Sequence, residues 1–491
     1  MPLPNVLLVM FDQWRADCSP SGDAPRVDLP NVQRVADRGV TFTRHFANAV
    51  PCGPARAGLF TGTYLHHHRS VANGTPLPRH LLTLGDCARD AGYTPTLFGY
   101  TDTSVDPRGR ALDDPALRTY ESILPGFDVA VALDEYLIPW GEWLRERGYV
   151  IGENVREIYG RAQGNRAAYP AEHTEAAFLT EAFLAWLDGR APETAPTFFA
   201  HLSYIKPHPP YSAPKEYLDR INPDRWTAIL GAPTREDEAT QHPLVAAAQS
   251  VPEVTFADED HLKEIRHAYL ANLLDVDTQL GRALDALEEK GQLANTIVIV
   301  TADHADLLGD HHAIEKWGHF PSAYHVPLII AGPDIASGGR VSAYSEHVDI
   351  LPTICDLIGA PIPSQCDGHS LRPFSDGTPA TPWRAAAHWE WDFRDPRHGI
   401  VEAAFGLESS QCNMAAIHDD AGTYAHYAGL PPVFYDRAHD PNESYNAATL
   451  EDTQPLVASY AARLLSWRLS SDDQTLTNTL LAADGPFNLP T

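Results

Sequence analysis

Short runs of apolar residues alternate along most of the chain with stretches in which apolar residues recur every three or four positions. The first run, Asn5 to Phe11, predicts a buried strand, and residues 261–290 predict the clearest helix, which ends before Gly291. Buried strands that alternate with helices favour an α/β fold, in which a mostly parallel sheet carries helices on both faces. Further strands are predicted at 40–46, 94–100, 197–204, 295–301 and 326–331, and further helices at 30–38, 81–91, 175–187, 349–358 and 456–467.

The character of the chain changes near Pro373, where periodic runs give way to short segments rich in Trp and Tyr and to turn residues. We therefore predict a large α/β domain over residues 1–372 and a smaller α+β subdomain over residues 373–491. Residues 106–169 and 222–258 hold few periodic runs, so we predict long loops there, at an active site or at an interface.

The charge balance narrows the classes of partner. The chain has 36 Lys and Arg residues against 65 Asp and Glu residues, which gives a formal net charge of -29. Nucleic-acid binding normally requires a basic patch or stripe, so the composition argues against it. An anionic substrate would have to meet positive charge that is concentrated locally.

No apolar stretch approaches the roughly 20 residues that a transmembrane helix needs, and the N-terminus lacks the basic region of a signal peptide. We expect a soluble, cytoplasmic protein that does not act at a membrane. The six cysteines show neither CxxC pairs nor zinc-site spacing, so we expect thiols rather than disulfides.

Polar residues directly follow two of the predicted strands. Asp12 and Gln13 follow the first strand, and Asp303 and His304 follow the strand that ends at Thr301. In open α/β sheets, ligands bind beyond the carboxyl ends of the strands. Two carboxylates, an amide oxygen and an imidazole suit a divalent cation that accepts oxygen and nitrogen ligands, such as Mn2+. The alternative for either Asp taken alone is a turn or helix-capping role.

The most specific pattern is the segment from Pro51 to Gly62, which contains Cys52-Gly-Pro-Ala-Arg56 followed by Leu-Phe-Thr-Gly. Pro54 is typical of a helix start, and the backbone N–H groups of that helix would point at an anion held near Cys52. The same anion would meet Arg56 and the metal ion. A lone Cys is more often a core residue, so the Asp-Gln and Asp-His pairs are what make the pattern specific.

This combination resembles the type I sulfatases and the related phosphonate monoester hydrolases of the alkaline phosphatase superfamily. In that family Cys-x-Pro-x-Arg is the signal by which a formylglycine-generating enzyme oxidises the cysteine to formylglycine. The resemblance implies an alkaline-phosphatase-like sheet flanked by helices. Further segments similar to the phosphonate monoester hydrolase branch cover nearly the whole length: Phe11 to Asp17, Gly309 to His312, Cys366 to His369, Trp391 to Arg394 and Asp440 to Glu443.

The resemblance also implies roles for individual residues around one divalent ion, expected to be Mn2+, with Ca2+ or Mg2+ as alternatives. The expected metal ligands are Asp12, Asp303, His304 and the formylglycine made from Cys52. The residues expected to carry catalysis are Cys52, Arg56, His208 and Lys316. The residues expected to bind the substrate are Gln13, Asn73, Tyr100 and Lys206. The hydrated aldehyde at position 52 would attack sulfur or phosphorus, while His208 or Lys316 would stabilise or protonate the leaving oxygen.

Two departures from the sulfatase pattern favour the phosphonate branch. Sulfatases usually have a second Asp where this chain has Gln13, and a Lys-x-His pair where it has Tyr100-Thr101-Asp102. The phosphonate branch usually has a hydroxyl residue in place of Asp102, so the polar contacts of this pocket stay open. Lys206 supplies a cation of the kind that sulfatases prefer, and a surface lysine is the alternative.

The remaining histidines are better explained by structural roles. His66, His67 and His68 could indicate a metal-binding tract, but a solvated or interdomain turn is the simpler interpretation. His311 and His312 are expected to be structural or to lie behind the ligands.

The expected function is hydrolysis of small esters with one negative charge, with aryl sulfates as the main substrates and phosphonate monoesters and phosphodiesters as additional ones. The alternative is an enzyme whose main substrates are phosphonate monoesters or phosphodiesters. A third hypothesis is an anion-binding paralogue whose Cys52 stays unmodified, and the presence of Asp12, Asp303, His304 and Lys316 argues against it. The terminal stretch 485–491 predicts an arm that packs on a neighbouring subunit of a homodimer or homotetramer.

Overall fold

A computed structural model describes residues 3–23, 25–134, 136–190, 197–226, 229–375, 382–477, 479–483 and 485–488. The strands are β1 (Asn5–Phe11), β2 (Gly39–Phe46), β3 (Pro95–Gly99), β4 (Asp128–Ala132), β5 (Phe199–Tyr204), β6 (Thr296–Thr301), β7 (His325–Ala331), β8 (Gly339–Val341), β9 (Ser345–Glu346), β10 (Ala387–Asp392), β11 (Asn413–His418), β12 (Gly422–Tyr427), β13 (Val433–Asp436), β14 (Thr479–Ala482) and β15 (Gly485–Asn488). The α-helices are α1 (Pro30–Asp37), α2 (Cys52–Thr61), α3 (Leu65–His68), α4 (Leu84–Asp90), α5 (Ile138–Glu146), α6 (Glu175–Asp188), α7 (Lys215–Leu218), α8 (Arg235–Thr240), α9 (Pro243–Ala248), α10 (Glu259–Glu289), α11 (Ile350–Ile358), α12 (Ile400–Phe405) and α13 (Gln454–Ser470).

The central sheet has the strand order β4-β3-β5-β1-β6-β7-β2-β8, and β9 also pairs with β2. β1 lies in the middle and pairs in parallel with both β5 and β6. β7 runs antiparallel to its neighbours β6 and β2, whereas the remaining pairs are parallel. The predicted α/β fold with a mostly parallel sheet is therefore confirmed.

Both faces of this sheet are covered by helices, which explains why β1 is apolar at nearly every position. Leu7 and Val9 pack into a hydrophobic cluster with α6 and α10, and Val6 and Leu8 pack into a second cluster with α4 and α11. A strand that is buried on both faces needs no alternation of polar and apolar residues. The two helical layers fix β1 in place, and with it the residues that follow its carboxyl end.

A second sheet, antiparallel and ordered β10-β11-β12-β13, forms the C-terminal part. Tyr460 and Leu464 of α13 pack on one of its faces. The sheet is joined to the larger part of the molecule where the Glu390 N–H donates to the carbonyl of Asn48 at 2.9 Å. The predicted α+β character of this region is confirmed, while the boundary between residues 372 and 373 stays a prediction.

The prediction of long loops at 106–169 and 222–258 was wrong in part. The first segment contains β4 and α5, and the second contains α8 and α9. Elements of five to nine residues are too short to show a helical or strand period above the background of their neighbours. Of the predicted C-terminal arm, residues 485–488 form the strand β15 that pairs with β14, and residues 489–491 lie outside the described part of the chain.

The three consecutive histidines lie between the two sheets. His66 contacts Glu390 of β10 at 2.8 Å and the carbonyl of Ser471 at 2.9 Å, and His67 lies 3.2 Å from Asp367. His68 is buried and accepts the backbone N–H of Ser70. The tract therefore joins the two parts of the molecule, as the interdomain interpretation predicts, but it is not solvated.

None of the helices in the described part of the chain combines the length and the apolar character that crossing a bilayer requires. The cytoplasmic location stays a prediction.

His311 also joins the two parts, through a buried pair of carboxylates. Its Nδ1 lies 3.0 Å from Glu238 of α8, and its Nε2 lies 3.7 Å from Glu443, which follows β13. Arg437 is the further charged group here, 3.8 Å from Glu443. Burial alone lowers the pKa of His311, but the two glutamates outweigh it and raise this pKa to about 9. His311 therefore has a structural role.

This contact predicts a pH dependence of stability. A histidine whose pKa is raised in the folded state stabilises the fold fully at pH values below its ordinary pKa of 6.5. This contribution is lost as the pH rises through about 9. Each pKa unit corresponds to about 1.4 kcal/mol. We expect the unfolding temperature of the wild type to fall between these pH values, and that of His311→Gln to change less, in thermal scans followed by circular dichroism. The control variant His426→Gln, at an exposed site, should show the pH dependence of the wild type. If the unfolding temperature of His311→Gln depended on pH as strongly as that of the wild type, the stabilising role of His311 would be contradicted.

Candidate active site

Two carboxylates come together because their strands are neighbours in the centre of the sheet. Asp12 directly follows β1, and Asp303 comes two residues after β6, with which β1 pairs from Asn5 to Met10. Both side chains are buried. The parallel register brings the two carboxyl ends to the same edge of the sheet, as the sequence predicts.

The helix α2 begins at Cys52 and points its N-terminus at this edge. The N–H group of Gly53 donates to Oδ1 of Asn73 at 2.9 Å. A Cβ atom on Gly53 would lie 3.1 Å from that oxygen and 3.2 Å from the carbonyl of Asp102, so a side chain here would crowd both. The absence of a side chain lets the loops that carry Asn73 and Asp102 pack against the first turn of α2.

Arg56 extends from α2 between the two carboxylates and is fully buried. Its Nε donates to Asp303 Oδ2 at 2.8 Å, and one terminal nitrogen donates to Asp12 Oδ2 at 3.0 Å. The other terminal nitrogen donates to Ser203 Oγ at 2.9 Å, and the ring of Tyr100 lies 4.1 Å from the guanidinium. Charge-assisted bonds of this kind offset the cost of burying the two acids.

Asp12, Cys52, Asp303 and His304 form a set of potential metal ligands, with one ligand atom from each lying within 4.8 Å of the others. Asp12 Oδ1 is buried and has no hydrogen-bond partner among the described residues. A buried oxygen without a partner is costly, and a cation beside it would satisfy it. The donor set therefore fits a divalent ion.

The tautomer of His304 is consistent with a ligand role. Its Nδ1 lies 3.0 Å from the carbonyl of Ala305, which can only accept, so Nδ1 carries the proton. Burial lowers the pKa of His304 to about 4. The neutral ring thus turns the lone pair of Nε2 toward Cys52, whose Sγ lies 3.1 Å away.

The two carboxylates differ in their titration. Burial, and after it the charge of Asp303, raises the pKa of Asp12. Burial acts on Asp303 in the same direction, but His304 and Arg56 outweigh it and hold the pKa of Asp303 well below its usual value. Burial and the charge of Asp12 also raise the pKa of the Cys52 thiol, so Cys52 itself is a poor nucleophile near neutral pH.

A second cluster, formed by Lys316, Gln13 and His208, lies beside the first. Lys316 Nζ lies 2.8 Å from Gln13 Oε1 and 2.9 Å from His208 Nε2. An ammonium can only donate, so both partners accept, and Nδ1 of His208 donates to the carbonyl of Pro209 at 2.9 Å. Burial, together with the charge of Lys316, lowers the pKa of His208, which is therefore neutral.

Most of the predicted site residues are brought together by these contacts. Tyr100 donates a short hydrogen bond from its hydroxyl to Asp12, and Asn73 binds the start of α2. Lys206 differs, because its ammonium donates to the carbonyl groups of His208 and Pro210 and lies 3.8 Å from Glu175. It is buried rather than at the surface, and these contacts give it a structural role in the loop that carries His208.

Four further residues belong to the site although no sequence pattern singled them out. Ser203 binds Arg56, and Tyr211 and Asp306 bind each other at 2.6 Å next to Gln13. Glu315 lies 3.0 Å from Lys316. The available signals were weak: Ser203 lies near the end of a predicted strand, Asp306 comes three residues after Asp303, and Glu315 precedes Lys316.

Comparisons with known proteins find a family profile that matches most of the chain. A sequence profile of the family described as Sulfatase matches residues 4–360, and a profile described as N-sulphoglucosamine sulphohydrolase, C-terminal, matches residues 309–470. The multifunctional alkaline phosphatase superfamily protein PehA of Trinickia caryophylli is 36% identical over 505 aligned residues, which cover 97% of this chain and 98% of PehA.

Two solved structures are similar over nearly the full length. The phosphonate monoester hydrolase of Agrobacterium radiobacter is 41% identical, has a TM-score of 0.94, and the match covers 99% of this chain and 100% of that one. The phosphonate monoester hydrolase SpPMH of Silicibacter pomeroyi is 35% identical, with a TM-score of 0.93 and 99% of each chain covered.

The ligand set predicts which changes remove a bound ion. Asp12→Asn and Asp303→Asn each delete a charged ligand, so we expect both variants to lose the metal that copurifies with the wild type, together with activity. Elemental analysis of the purified proteins measures this. Asp277→Asn is a matched control, because that buried acid accepts the backbone N–H groups of Asn31 and Val32 in α1 instead. Full metal occupancy in either site variant would show that the site has been misplaced.

Proposed function

Because the chain belongs to the sulfatase family, which implies a divalent metal and a formylglycine, we propose that it hydrolyses small esters with one negative charge, phosphonate monoesters and phosphodiesters foremost. The family and its phosphonate monoester hydrolase relatives make it a hydrolase of sulfate or phosphonate esters. The choice within that range rests on similarity to phosphonate monoester hydrolases over 99% of the chain. Aryl sulfates, which the sequence alone predicts as the main substrates, are the alternative.

The observation that carries this proposal is the charge of the site. The cation Arg56 is already paired with Asp12 and Asp303, and the cation Lys316 is paired with Glu315. A divalent ion would therefore supply most of the positive charge that remains for the substrate. Such a site favours one negative charge and disfavours the second charge of a phosphate monoester dianion.

The residues of the two clusters would have different roles in the reaction. Asp12, Asp303 and His304 would hold the metal, for which their oxygen and nitrogen atoms make Mn2+ our proposal. The metal and a formylglycine at position 52 would together supply an oxygen nucleophile at neutral pH. Arg56, which donates to Asp12, Asp303 and Ser203, would keep the two acids in place beside the metal and add its positive charge to the site.

The second cluster is placed to act on the leaving oxygen. Because Lys316 donates to His208, the proton resides on Lys316, and His208 is neutral. Although burial opposes it, the nearby Glu315 raises the pKa of Lys316 above its usual value. Lys316 is therefore the cation that would stabilise or protonate the leaving oxygen, and Gln13 and His208 orient it.

The proposal requires a modified Cys52. We expect that protein produced together with a formylglycine-generating enzyme shows, in the peptide that contains Cys52, the mass loss of a thiol converted to an aldehyde. Mass spectrometry of the digested protein measures it, with the peptides of the other cysteines as internal controls. Cys52→Ala should fold and lack turnover. A fully active preparation with an unmodified Cys52 peptide would rule out this chemistry.

The substrate ranking tests the charge argument. We expect kcat/KM to be highest for a phenylphosphonate monoester or a phosphodiester, lower for a nitrophenyl sulfate, and lowest for a phosphate monoester with the same leaving group. A tenfold difference corresponds to about 1.4 kcal/mol in transition-state binding. A sulfate that led by more than tenfold would make the protein an arylsulfatase first. A phosphate monoester in first place would contradict the charge argument itself.

We also propose that the protein is a homodimer or homotetramer. Leu465 and Leu469 of α13 and Leu480 and Leu481 of β14 are exposed, and a second copy of the chain would cover apolar side chains such as these. We expect light scattering to show a dimer or tetramer whose mass per particle falls when residues after Ser470 are deleted. A monomer that the deletion leaves unchanged would refute the proposal.

A further inference from the structure

We propose that Asp306 is a positioning residue for the leaving-group reaction, because its carboxylate holds together the three loops that carry Lys316, Gln13 and His208. The inference rests on the proposed hydrolase function. It concerns a residue that neither contacts the potential metal ligands through its side chain nor belongs to the Cys-x-Pro-x-Arg segment.

The Asp306 side chain is fully buried and receives four hydrogen bonds. Oδ1 accepts the backbone N–H groups of Leu308 at 2.8 Å and of Glu315 at 2.9 Å. Oδ2 accepts Gln13 Nε2 at 2.5 Å and the hydroxyl of Tyr211 at 2.6 Å. Every partner is a donor, so the group acts as a carboxylate acceptor at both oxygens.

Three of these four donors lead to the cluster formed by Lys316, Gln13 and His208. Gln13 is itself a member and follows β1. Tyr211 lies in the loop after β5, three residues from His208. Glu315 directly precedes Lys316. One carboxylate thus links the loops after three adjacent strands of the sheet, β5, β1 and β6.

The backbone at two of these positions depends on such support. Gln13 has φ of 69° and Glu315 has φ of 68°. Residues with a side chain adopt this left-handed region only at an energetic cost, so the surrounding structure must hold them there. The bonds from Gln13 Nε2 and from the Glu315 N–H to Asp306 are part of that support.

The orientation of the Gln13 amide shows why a carboxylate is needed. Lys316 can only donate, so Oε1 of Gln13 faces it and Nε2 faces Asp306. An amide at position 306 has one acceptor oxygen and could serve only one of the two donor pairs. If the oxygen of such an amide accepted the N–H groups of Leu308 and Glu315, the NH2 of the amide would face Gln13 Nε2, which is also a donor. A flip of the Gln13 amide would relieve that contact, but it would turn the NH2 group of Gln13 toward the Lys316 ammonium.

We expect the loss of the Asp306 carboxylate to misplace Lys316. The misplacement matters most for esters with poor leaving groups. Esters with good leaving groups depend little on a cation at that oxygen, whereas esters with poor leaving groups depend on it strongly. A loss of general structural integrity would instead lower activity toward all esters alike. The dependence of rate on the leaving group therefore separates positioning from stability.

The test uses the metal-loaded full-length enzyme and a series of substituted phenyl esters of one phosphonate. For Asp306→Asn we expect kcat/KM to fall at least about tenfold more for the poorest leaving group than for the best. Lys316→Ala should give the same steeper dependence on leaving-group pKa. The double variant should show little further steepening, because both changes remove the same interaction.

Two further variants keep the inference testable if Asp306→Asn does not fold. Tyr211→Phe removes one donor, keeps the carboxylate, and should steepen the dependence by a smaller factor. Asp277→Asn is the matched control, because it also loses a buried carboxylate that accepts backbone N–H groups. It should lower the unfolding temperature and leave the leaving-group dependence unchanged.

A uniform loss of activity across the series in folded Asp306→Asn, or an unchanged dependence in Tyr211→Phe when Asp306→Asn is unfolded, would overturn the inference. A wild type that hydrolyses no ester of the series would overturn the proposed function, and this inference with it. The two failures are distinguishable, because the first occurs in an active wild type.

Discussion

The burial of Arg56 between Asp12 and Asp303 is the interaction on which the rest of the site depends. Two carboxylates at the centre of a sheet must lose their hydration, and an unpaired buried charge is strongly unfavourable. Arg56 compensates both acids from one position, since a planar guanidinium can donate in several directions at once. Arg56 thus offsets much of the cost inside the protein, and the unpartnered Oδ1 of Asp12 leaves the remainder to a cation.

The same pairing determines what the site can attract. A chain with a formal net charge of -29 repels anions at long range, and the site cations Arg56 and Lys316 are already paired with acids. The selectivity for singly charged esters that we propose would then follow from the small excess of positive charge rather than from a specific shape. The phosphonate monoester hydrolase relatives, which overlap this chain almost completely, are consistent with such a site.

The sequence predicts the parts of the site that lie at the ends of regular elements. Asp12 and Asp303 could be placed together because parallel strands end at one edge of a sheet, and Cys52 because its segment starts a helix. Asp306 could not be found in this way, since its partners lie up to about 290 positions away and only the tertiary fold brings them near. The antiparallel direction of β7 was equally hidden, because a strand buried on both faces looks the same in either direction.

The most direct test of this account is the unfolding free energy of Arg56→Met, measured by urea denaturation of chelator-treated protein with and without added Mn2+. The variant leaves two buried carboxylates without compensation, so we predict that the metal-free form is less stable than the wild type by about 3–5 kcal/mol. Mn2+ should stabilise the variant more than it stabilises the wild type, because the ion replaces the missing positive charge. A metal-free variant as stable as the wild type would contradict the account.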